Sequence, residues 1–149
     1  MNSRNDIGVD AHPASSQAIH RPRGLVRTGF IALNAAMAAT TLAAAIARAV
    51  GVDFEIPDGG ETIPLAGIAV VTGFFSAVGI AIAAALARWS ARPAQLFVRT
   101  AVTLTVISFV PPLLVEAAAA TISALLGLHL VAAAVMIPAL ARSLPTRTD

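Results

Sequence analysis

The chain has 149 residues, of which 57% are hydrophobic and 12% charged, with a mean hydropathy of +0.81 and a formal net charge of +2. Soluble domains carry about 25% charged residues, so this composition excludes the ordinary soluble class and places the chain among integral membrane proteins. With no Cys, a thiol nucleophile, a disulfide relay and thiolate metal sites are excluded, and the ten basic residues, all Arg, matter by position and offer no nucleic-acid surface.

Residues 1–23 are polar and lack apolar periodicity, so burial cannot offset their ordering entropy and they are expected to form a disordered cytoplasmic tail. His12 and His20 fall in it, and two scattered histidines read as solvated side chains rather than metal ligands. The first span is expected over residues 27–50. Ala47-Arg48-Ala49 resembles a signal cleavage site, but the apolar run from Gly29 to Ala47 exceeds the roughly 7–15 residues of a signal core, which favours an uncleaved helix. Asn34, Thr40 and Thr41 are polar insertions that a helix interface can absorb by hydrogen bonding.

Residues 51–63 form the one sizeable polar loop, with Asp53, Glu55, Asp58 and Glu61 and no base. The four carboxylates lack the spacing of a calcium loop and read as a solvated acidic face, with Arg48 expected to pair with one of them. Thr62 followed by Pro64 reads as the cap and first turn of the next helix.

The second span, residues 64–88, organises the chain. It has no charge before its last residue and is about 37 Å long at 1.5 Å per residue, against a bilayer core of about 30 Å. Small residues recur every fourth position (Ala69, Gly73, Ala77, Ala81, Ala85), which predicts a bare ridge that another helix can approach closely. Trp89 then suits an interfacial anchor. The third span is expected over 96–115, with Pro111 and Pro112 in its later part. The fourth is expected over 121–141, with His129 and Pro138, before a short tail at 143–149.

If spans alternate, one side receives Arg4, Arg21, Arg23, Arg27, Arg88, Arg92, Arg99, Arg142 and Arg147, and the other only Arg48 and the acidic loop with Glu116. The positive-inside rule then puts both termini in the cytoplasm, in an all-α bundle of two antiparallel hairpins. His129 is the one titratable group well inside a span. It lies as far after Ala118 as Ile107 lies before it, and Pro111 and Pro112 cannot bond the carbonyls of Ile107 and Ser108. A polar cluster of His129, Ser108, Pro111 and Pro112 is therefore expected, with His129 donating to one of those carbonyls or bonding the Ser108 hydroxyl.

Gly51-Val52-Asp53 closing the first span, Ser108 ahead of Pro111-Pro112, and His129-Leu130-Val131 running to Ile137-Pro138-Ala139-Leu140-Ala141-Arg142 resemble a bacterial four-helix membrane family, the family of unknown function numbered 6069. The likeness covers about Leu25 to Arg142; Leu128 stands where the pattern would have Met. The resemblance implies a multi-pass protein of the bacterial inner membrane and adds no reaction. No cofactor is expected. An intramembrane enzyme lacks its ligands and nucleophiles, and a proton-coupled exporter lacks an intramembrane carboxylate. The remaining reading is a non-enzymatic protein of the lipid bilayer that packs against itself or a membrane-protein partner, with a small transporter or channel subunit as the alternative.

Overall fold

The computed structural model describes residues 20–56 and 61–145, with side chains from Gly24 onward except that of Ile56. The expected tails at 1–19 and 146–149, with His12 and the Asp58 turn, lie outside the described residues. The described chain is helical apart from one pair of two-residue strands. The elements are α1 (His20–Ala49), β1 (Glu55–Ile56), β2 (Glu61–Thr62), α2 (Leu65–Trp89), α3 (Pro93–Ile107), α4 (Val110–Leu114) and α5 (Ala119–Ser143). Four helical stretches, Gly24–Ala49, Leu65–Trp89, Pro93–Leu114 and Ala119–Ser143, are long and apolar enough to cross a membrane.

Prolines set several of the boundaries. Pro64 caps α2 in an extended conformation, so Thr62, expected to be the cap, pairs with Glu55 in the β1–β2 ladder instead. α2 ends at Ser90, whose N–H bonds Leu86, and α3 starts on Pro93, whose ring forces Arg92 off helical geometry. The third span is broken. Pro111 and Pro112 cannot donate back, the Phe109 N–H bonds Val106 in a tighter turn, and helix resumes only at Val110. Pro138 sits inside α5 without ending it.

α1 lies against both α2 and α5, and α3 leans on the same two helices. The packing forms two apolar clusters. Leu25, Ala32, Ala36, Ala83, Phe97, Met136 and Leu140 fill the end near the α2–α3 turn, here the turn end. Ala44, Phe54, Ile68 and Leu128 fill the opposite, hairpin end. The outward faces are apolar as well, with Phe30, Phe74 and Phe75 each about two-thirds exposed (65%, 64% and 64%). Apolar cover of that extent suits lipid rather than water. Since lipid exerts no hydrophobic drive between helices, association rests on fit and hydrogen bonds.

The α1–α2 contact shows that fit. A Cβ built on Gly29 would stand 2.9 Å from Ile80 Cγ1, and one on Gly73 would stand 2.9 Å from Met37 Sδ. Thr40, buried between them, donates to the Ala36 carbonyl at 2.9 Å and lies 3.2 Å from the Thr72 hydroxyl. Asn34, by contrast, turns its amide to its own helix, donating to the Phe30 carbonyl at 2.8 Å.

Candidate functional site

His129 is half-buried on α5, beside the break in the third span. Its Nδ1–H donates to the Leu125 carbonyl, one turn back on its own helix, at 2.7 Å. The ring also meets Phe109 edge to face, with centroids 6.2 Å apart. This corrects the expected bond to Ile107 or Ser108. Ile107 is 57% exposed, and the Ser108 hydroxyl donates to the Thr105 carbonyl of its own helix at 2.7 Å. Equal-depth arithmetic assumes an unbroken helix and a sharp turn. The tightened turn at Ser108–Phe109 and the non-helical stretch before α5 shift the register, which brings Phe109 to His129. Of the two prolines, Pro112 is buried and Pro111 is exposed. The four residues share a region without forming a bonded cluster.

The small-residue row of α2 is divided in the same way. Gly73 meets Met37 of α1, and Ala69 and Ala85 are half-buried, but Ala77 and Ala81 are exposed. The buried seam runs instead through Ile68, Ser76 and Ala83, with Thr72 and Ile80 on the same side. As far as Ile80 the seam is itself an every-fourth row, set one residue ahead of the small-residue row, and one residue turns a helix by about 100°, so the two rows point to different sides.

At the hairpin end, the loop after α1 folds back onto the bundle. Gly51 and Phe54 take left-handed backbone conformations, with φ of 95° and 51°. That is an ordinary geometry for Gly and a strained one for Phe. The fold over-determines it: the Phe54 side chain is fully buried among Ala44, Ile68 and Leu128. The Phe54 carbonyl accepts the Ile63 N–H, and the β1–β2 ladder pairs Glu55 with Thr62 and Ile56 with Glu61. Arg48 completes the closure; among the described carboxylates it pairs with none of Asp53, Glu55 and Glu61, and Asp58 lies outside the described residues. The Arg48 guanidinium donates to the Ile63 carbonyl and lies over the Phe54 ring, 5.8 Å from the centroid. Asp53, Glu55 and Glu61 stay exposed on the outside, and no group of three or more metal-ligating side chains occurs among the described residues.

Two features had no clear counterpart in the sequence reading. Phe54 is a lone aromatic in a polar loop, and nothing local says that it turns inward as a plug. Around the α2–α3 turn lie two open clefts, of about 630 and 460 Å³, that share Gln95 and Arg99; only the Arg density and Trp89 hint at them.

No curated protein and no solved structure matches the chain. A family model described as "family of unknown function" (DUF6069) matches residues 20–146, and the chain belongs to that family.

Proposed function

We propose that the chain is a four-span protein of the bacterial inner membrane that acts by packing against itself or another membrane protein, and that it is not an enzyme. The observation that carries this reading is the filled interior. Ala36, Ala44 and Ala83 are fully buried between helices, and Phe54 with Arg48 closes the hairpin end. A conducting path would require polar lining or an open lumen at mid-depth. The hydroxyl of Ser108 and the imidazole of His129 are each committed to their own helix, which weighs against a nucleophile–base pair. Two antiparallel hairpins fit the α1–α2 pairs Gly29 with Ile80, Met37 with Gly73, and Thr40 with Thr72, whose numbering runs in opposite directions. Cytoplasmic termini rest on the Arg count.

A small transporter or channel subunit is the second reading, favoured by one observation: a broken span next to a titratable side chain, the pairing of Ser108–Phe109 with His129. Purification from cross-linked membranes, with reconstituted ion flux alongside, separates the two. The packing reading expects a stoichiometric cross-linked adduct and vesicles no leakier than protein-free controls. Flux that His129→Ala abolishes, with no adduct, would overturn it.

A further inference from the structure

Arg99 sits where an arginine needs an explanation. It lies six residues into α3 from Pro93, about 9 Å below the turn at 1.5 Å per residue, and its side chain is exposed on the flank of the bundle. A guanidinium at that depth is costly in lipid unless it meets a counter-charge or reaches the headgroups. The carboxylates of the described residues are Asp53, Glu55, Glu61 and Glu116, and all four lie at the hairpin end. Among the described residues Arg99 has no hydrogen-bond or ion-pair partner. Gln95, one helical turn earlier on the same face, also lines both clefts, and Arg92 stands at the mouth of the larger one. Beside this polar rim the wall is apolar, through Leu86 and Trp89 of α2 and Leu96 of α3.

We propose that the larger cleft holds one anionic phospholipid, with Arg99 and Gln95 gripping its phosphodiester and the Leu86–Leu96 wall lying along its glycerol and acyl chain. A planar guanidinium matches two phosphate oxygens at once, and a basic pocket at headgroup depth is the usual form of such a site. A free phosphate would engage only the rim. The apolar wall continuous with that rim is what selects a lipid. The site requires only that the four helices cross a membrane and is independent of what the bundle packs against.

The test is native mass spectrometry of the detergent-purified full chain, titrated separately with phosphatidylglycerol, with phosphatidylcholine of the same chains, and with inorganic phosphate. The wild type is expected to retain one phosphatidylglycerol in preference to phosphatidylcholine. Arg99→Gln should lower that retention at least about tenfold, the effect of losing a charge-assisted bond. Arg99→Lys, which keeps the charge but loses the fork, should fall between the two and serves as the readout if Arg99→Gln does not fold. Arg142→Gln, basic and exposed at the same end but outside the cleft, should leave retention unchanged. Equal retention of the two lipids, equal loss in the Arg142 variant, no loss in either Arg99 variant, or inorganic phosphate binding as tightly as the lipid would each overturn the proposal.

Discussion

Adding one methyl at Gly29 tests the α1–α2 fit more sharply than removing atoms would. The new Cβ would stand 2.9, 3.0 and 3.2 Å from Cγ1, Cδ1 and Cγ2 of Ile80, where carbon atoms prefer about 3.5–4.0 Å. Ile80 is β-branched and stiff at χ1, so relief requires the helices to part by a few tenths of an ångström along the seam. Overpacking of this kind costs about 1–3 kcal/mol, against a gain of up to about 1 kcal/mol from replacing Gly in a helix interior. Gly79 on the same α2 seam region supplies the control, since a Cβ there meets nothing within 4 Å and Gly79→Ala gains the helix term alone. The helix term cancels in the comparison, so Gly29→Ala should be about 1–3 kcal/mol less stable than Gly79→Ala in thermal or denaturant unfolding in a mild detergent. Gly73→Ala should fall between them, because its neighbour is the mobile thioether of Met37. Combining Gly29→Ala with Ile80→Ala should recover most of the loss as a coupling energy. Equal stability of the Gly29 and Gly79 variants, or zero coupling to Ile80, would refute the close-contact reasoning.

Phe54→Ala should destabilise the chain by about 3–5 kcal/mol, the range for emptying a buried Phe site, read as a lower midpoint of thermal unfolding in detergent. His129→Ala should cost about 0.5–1.5 kcal/mol for one hydrogen bond and an aromatic contact. A double-mutant cycle with Ser108→Ala should give coupling near zero, and coupling above about 1 kcal/mol would restore the bond between the two residues. Single Cys substitutions at Asp53 and Ser90 report orientation: an impermeant thiol reagent should label intact cells at the first and not at the second, and the reverse pattern would sink the cytoplasmic placement of the termini.

What could be read from the sequence was what hydropathy and proline control. Four stretches of spanning length stand out because nothing else in water or lipid tolerates them. Pro64 marks a helix start because a missing N–H is harmless there, whereas α3 begins on Pro93, three residues before the expected start at 96. The break near Pro111 and Pro112 could also be anticipated, but its consequence could not. His129 faces Phe109 rather than Ile107 because register across a kinked hairpin depends on how the freed turn closes. The every-fourth row of small residues failed as a guide beyond Gly73 for a geometric reason, since spacing alone does not say where a helix crosses its neighbour. Position placed Arg48 at the correct surface, but the partners it holds there, the Ile63 carbonyl and the Phe54 ring, were not foreseen. A carboxylate on a solvated loop competes with water, whereas the Ile63 carbonyl and the Phe54 ring are held in place by the hairpin itself.

Whether the bundle acts by packing against another chain is tested most directly by extracting it from native membranes in polymer-bounded lipid discs and counting polypeptides per disc by native mass spectrometry. The expected result is discs that carry the 15.1 kDa chain together with at least one further polypeptide, its own copy or another, in fixed ratio across polymer concentrations. Discs that hold a single 15.1 kDa chain at every polymer concentration would contradict it.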